Sequence, residues 1–209
     1  ACSGARVSDL TRPSRDSDGT ALPAQLDQLP AAAAAQAGLA LVTVGGNDLR
    51  FVDTVRCLVG IPPAGGCAPV LPAASAALPA TMRRTAEALV AVARRLPRAA
   101  VVLIGYPRLT SPVCPGDRAF SAGVEAAQRR LERAQAEAVA GAARALPGRT
   151  FRFVSTAAVF RGRGPCAPAG LRYVNGVVLA PFWESFHPNR AGHAATARLL
   201  LAQAGSLPR

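Results

Sequence analysis

Three short, mainly apolar runs, at 39–44, 99–104 and, more weakly because Arg152 breaks it, 151–154, constrain this chain more than any other feature. Continuous rather than alternating hydrophobicity is what a strand covered on both faces requires. Between the runs lie helical patterns. Leu78, Met82, Leu89, Val92 and Leu96 recur near helical spacing with arginines opposite, and Phe120, Val124, Leu131 and Val139 repeat the theme with alanine filling. Pro147-Gly148 ends the second helix, and 191–203 reads as a closing one, with Pro188 placed at its start. Strands alternating with helices predict an α/β domain built on a parallel sheet. Residues 62–72 and 161–170 read as loops, and 31–35 as a short helical segment. With no repeat and no linker, residues 1–209 are expected to form one domain.

The formal charge of +12 raises the question of nucleic acid. All 24 basic residues are arginine, however, and they are scattered; Arg83, Arg84, Arg94, Arg95, Arg129 and Arg130 fall on expected helix exteriors. Aromatic residues are not interleaved with them as base stacking would favour. A solvated basic surface is the expectation, with no nucleic-acid partner. No apolar run reaches the length of a membrane span, so no stable membrane insertion is expected. Two histidines without a carboxylate cluster predict no metal site, and nothing implies a cofactor.

Five cysteines without a CxxC pair argue for disulfides and an oxidising, extracellular compartment. Cys57 and Cys67 bracket a Pro/Gly-rich loop, and Cys114 and Cys166 lie in two further Pro/Gly segments. Two loop-closing bridges fit these four, leaving Cys2 over.

Two motifs carry chemistry. Gly45-Gly46-Asn47-Asp48 follows the first buried run, where an open α/β sheet places its ligand crevice. Asn47 can aim its amide there, although Gly and Asn also favour ordinary turns. His187-Pro188-Asn189 lies at a loop-to-helix junction, a good position for a general base. Glu184, three residues earlier, or a nearby main-chain carbonyl would orient the imidazole. His193 reads as structural.

With Ala1-Cys2-Ser3-Gly4-Ala5 and Gly192-His193, these motifs resemble the SGNH (GDSL-type) hydrolase family, in particular secreted, disulfide-bonded lipases and esterases of actinobacteria. The resemblance implies a flavodoxin-like three-layer α/β/α sandwich. It also implies hydrolysis of a small-molecule or lipid carboxylic ester by a monomer through a serine acyl-enzyme. His187 would be the base, supported by Glu184 or a carbonyl, with Gly4 and Asn47 as oxyanion donors. Cys57–Cys67 and Cys114–Cys166 would be the family's bridges, with Cys2 paired to a cysteine upstream. One element of the pattern does not occur: the sequence contains no Gly-Asp-Ser. Asp16-Ser17 lacks the glycine and the strand before it, and Ser3 has no such role in the pattern. The expectation is a sheet whose N-terminal strand is missing, an apolar surface left bare there, and little or no activity. A non-catalytic acyl- or glycan-binding descendant is the alternative.

Overall fold

The computed structural model describes residues 4–15, 19–58, 60–110, 117–178 and 184–204. Its centre is a parallel sheet in which β3 (Leu39–Val42), β4 (Ala100–Ile104) and β5 (Phe151–Val154) follow in that order. All three expected strands form, and their registers pair Ala40 with Val101 and Val101 with Phe151. A separate antiparallel hairpin joins β1 (Ser14–Arg15) to β2 (Ala21–Leu22). Strands of two residues carry too little pattern to be read from sequence.

Ala40, Val42, Val101, Leu103, Phe151 and Phe153 share one face of the sheet through the strand register. Against it pack Leu89, Val92 and Ala93 of α3 (Val70–Arg95), Leu96 just after it, and Val139 and Ala142 of α4 (Arg118–Ala145). Val7 and Ala34, the latter in α1 (Ala31–Gln36), complete this core. The opposite face differs along its width. Val102 and Val154 are buried there, but Leu39 and Leu41 are 46% and 51% exposed. Among the described residues β3 pairs only with β4. The edge strand thus leaves these two leucines exposed on that face.

The helix boundaries depart from the sequence reading in two places. Residues 62–72 are not all loop, because α3 begins at Val70 and runs through Pro72 and Pro79. Pro72 is in the first turn, where an amide has no helical partner to lose. Pro79 is interior but exposed, and buried Val70 anchors the start of the helix. Pro188 is not the first helical residue of α5 (Arg190–Ala204). Asn189 caps that helix, its Oδ1 accepting from the Gly192 amide at 3.0 Å. Asp117 caps α4 in the same way. The helix α2 (Phe51–Leu58) was not anticipated. No described helix is long and apolar enough to cross a membrane.

The Cys57–Cys67 bridge forms at the end of α2 and closes the loop that follows. Closing ten residues restricts the unfolded chain by about 2–3 kcal/mol. Cys166 is also disulfide-bonded; Cys2 and Cys114 lie outside the described residues.

Candidate active site

The chain leaves β3 through Val44 and turns sharply at Gly45, whose φ of +104° belongs to glycine. Gly46 then passes against the ring of Tyr106, close enough that a Cβ would meet it at 3.0 Å. The Gly46 amide donates to the Tyr106 hydroxyl at 2.8 Å. Tyr106 lies just past β4, so the turn is fixed from the neighbouring strand. Burial pushes the Tyr106 phenol up to about 12, the Gly46 bond opposes this, and the charge of Asp48 adds to it.

The next two residues reach across to the start of the chain. Asn47 donates through Nδ2 to the Ala5 carbonyl at 2.8 Å. Asp48 accepts from the Val7 amide at 3.0 Å, and its carboxylate, 7% exposed, lies 3.5 Å from Arg84. Asn47 is therefore more than a turn former, because its amide carries a long-range contact. It brings the two expected oxyanion donors together: Gly4, in a left-handed conformation with φ +76°, immediately precedes the Ala5 carbonyl that Asn47 holds. Arg84 also departs from the reading of a purely solvated surface, and Arg95 likewise donates to the Leu29 carbonyl.

His187 approaches from the other end of the sequence. Phe186 has φ +61°, a conformation costly for a bulky residue. The side chain that holds it there is itself buried, packed with Val55, Leu109, Phe51 and Leu58. Turning at Phe186 lays the His187 ring 6.2 Å from that of Phe51, four residues after Asn47. The imidazole Nδ1 lies 3.1 Å from the Ser185 carbonyl. A carbonyl only accepts, so Nδ1 carries a proton, and in the neutral imidazole Nε2 is then the bare nitrogen.

Of the two orienting groups left open by the sequence, the structure supplies a main-chain carbonyl. Glu184 is exposed, and its contributions here are through its carbonyl, which accepts from the His187 amide at 3.2 Å and from Asn175 Nδ2 at 3.0 Å. The turn is braced by residues 173–178. Val174 bridges Pro188, the Asn175 amide donates to the His187 carbonyl, and the Val178 amide donates to the Ser185 hydroxyl. Gly192 is required beneath it, because a Cβ would come within 2.1 Å of the Tyr173 carbonyl oxygen. His193 is exposed.

Among the described residues no serine hydroxyl hydrogen-bonds the imidazole. The Ser185 hydroxyl is engaged with Val178, and that of Ser155 with the Glu132 carboxylate, which Arg108 also pairs. Ser3 and Ser17 lie outside the described residues. Sequence reasoning missed Tyr106 and Phe51 as parts of this site, and it gave no separate role to Asp48, Ser185 or Phe186, which lie within or beside the two motifs.

A family model described as GDSL-like lipase/acylhydrolase matches residues 1–195. Lipase 1 of Streptomyces coelicolor is 29% identical over 198 residues, covering 93% of this chain; the chain spans 65% of that relative's length. An extracellular lipase from Streptomyces rimosus superimposes with a TM-score of 0.74 at 25% identity, covering 97% of this chain and 78% of that one. Phospholipase A1 from Streptomyces albidoflavus matches with a TM-score of 0.73 at 23% identity over the same shares. The likeness establishes the α/β sandwich expected from the sequence.

Proposed function

The chain belongs to the GDSL-like lipase/acylhydrolase family, and from that premise we propose that it is a single-domain, secreted esterase or lipase whose chemistry proceeds through a serine acyl-enzyme. In this reading His187 Nε2 takes the proton of the attacking hydroxyl and returns it to the leaving alcohol. The Ser185 carbonyl holds the ring, relieving the Glu184 carboxylate of that role. The Gly4 amide and Asn47 Nδ2 donate to the oxyanion of the tetrahedral intermediate. Substrates are small-molecule or lipid esters, and the unit acts as a monomer. The Cys57–Cys67 bridge supports an extracellular setting.

The observation that carries this reading is a convergence. The turn that holds the Gly4–Ala5 segment through Asn47 leads within four residues to Phe51, the ring beside His187. The nucleophile is not among the described serines, and Gly-Asp-Ser does not occur in the sequence. The 209 residues by themselves are therefore expected to turn esters over slowly or not at all. A fluorophosphonate probe tests this. Far less than stoichiometric labelling is expected; stoichiometric labelling that survives both Ser3→Ala and Ser17→Ala would mean that another serine serves, and the assignment fails.

The lack of a described serine partner for His187 also favours the second reading, an acyl- or glycan-binding descendant. Saturable fatty-acid binding without turnover, even after the chain is extended to include a Gly-Asp-Ser strand, would select it.

A further inference from the structure

Seven large apolar side chains of the described chain are exposed, and four of them, Val52, Ile61, Leu171 and Val177, belong to the segments that flank His187. Val52 follows Phe51, the residue against the imidazole, and lies one turn before Arg56 on α2. The Ile61 amide donates to the Arg56 carbonyl at 2.9 Å, which folds Ile61 back onto the end of that helix. Across the histidine, Val177 lies between two tethers: the Asn175 amide on the His187 carbonyl and the Val178 amide on the Ser185 hydroxyl, each 2.9 Å. Leu171 precedes Arg172, whose carbonyl accepts from Asn189 at 2.9 Å.

Single exposed valines and leucines are ordinary on any surface. Here all four fall in segments fixed by hydrogen bonds or a ring contact, and three of those segments adjoin the turn that bears His187, so these exposed apolar side chains are carried on ordered backbone. The charge around them has one sign in excess. Residues 50–58, 60–61, 171–178 and 184–190 hold Arg50, Arg56, Arg172 and Arg190 against Asp53 and Glu184, and Asp53 is occupied by Arg50. The whole chain carries +12. An apolar rim set among guanidinium groups suits one occupant, an anionic bilayer. The side chains enter the headgroup boundary and the arginines meet the phosphates.

We propose that this rim is a docking surface for an anionic lipid bilayer, bringing His187 to the membrane face. That the bilayer also presents the ester to be cleaved rests on the functional reading above; the docking does not.

The test is co-sedimentation of the 209-residue chain with vesicles of phosphatidylcholine, with and without phosphatidylglycerol. Binding to the mixed vesicles is expected. The double variant Val52→Asp/Val177→Asp should weaken partitioning by roughly tenfold or more, because each exposed apolar side chain that becomes buried contributes on that scale. Leu41→Asp, on the bare face of β3, should leave it unchanged. Three results would overturn the proposal: no binding to the mixed vesicles, equal binding by the rim variant, or an equal loss in Leu41→Asp. Equal binding by the rim variant together with loss in high salt would identify plain charge attraction. Because sedimentation requires no turnover, a failed hydrolase assignment and a failed docking surface remain distinguishable.

Discussion

The two halves of the site are held by different means. The Asn47 half is fixed by contacts between residues distant in sequence: Tyr106 on Gly46, Asn47 on Ala5, Asp48 on Val7 and Arg84. Most of these groups are buried or half-buried, so each bond lost leaves a polar group without water. The His187 half is a local turn. Its imidazole is oriented by a carbonyl two residues away and anchored by one buried ring, Phe186. A donor for an oxyanion, the role proposed for Asn47, must be immobile before charge develops, and the first half's construction suits that. A base, the role proposed for His187, must exchange protons with its surroundings, and this position is exposed. Substitutions should therefore unfold the chain when made in the Asn47 half, and reorient one ring when made in the turn that bears His187.

The largest effect tests the floor beneath that turn rather than the turn itself. Gly192→Ala places a methyl on the Tyr173 backbone, which neither element can vacate, and should cost about 4 kcal/mol or more in chemical denaturation. Asp48→Ala strands the Val7 amide and should cost about 3 kcal/mol, with residues 6–10 losing hydrogen-exchange protection. Retained protection there would erase the contrast between the halves.

Alkaline titration sharpens it. The Tyr106 phenol keeps its proton in the folded chain up to about pH 12, whereas the unfolded chain releases it near 10. Between these values the native state binds more protons, so stability falls as pH rises, by roughly 2–3 kcal/mol across that window. It is intact below pH 10. The sequence has no lysine to confuse the measurement. Tyr106→Phe should remove this slope and, by leaving the Gly46 amide without its acceptor, cost about 1–2 kcal/mol at neutral pH. The smallest effect belongs to Glu184→Gln. If a carbonyl orients the imidazole, this exposed position should shift stability by less than about 0.5 kcal/mol and leave the His187 ring signals in place.

How far the sequence could be read follows the same division. The first two strands were legible because each lies in a mainly apolar run, the third more weakly because Arg152 interrupts it, and the long helices because their faces repeat. The motifs at Asn47 and His187 were legible because they occur together, in order and at strand-to-turn and loop-to-helix junctions, although glycine and asparagine alone also mark ordinary turns. Their partners were not. Nothing local distinguishes Tyr106 from any residue after a strand, and Asp48 reads as a polar turn residue until Val7 and Arg84 are placed beside it. Ser185 acts through its main chain, which no side chain encodes. Pro72 suggested loop, but burial of Val70 and the packing of α3 on α4 overrode that local preference. Close approaches such as Leu71 against Gly123 belong to that packing and have no signature in either segment alone.

The most direct test of this account is the tautomer of His187, because a base oriented by the Ser185 carbonyl must carry its proton on Nδ1. A long-range proton–nitrogen spectrum of the ¹⁵N-labelled chain, recorded where the imidazole is neutral and assigned with His193→Gln, reads this out. We predict a protonated Nδ1 and a bare Nε2, unchanged in Glu184→Gln. A proton on Nε2, or a switch of tautomer when Glu184 loses its charge, would contradict the carbonyl-held base.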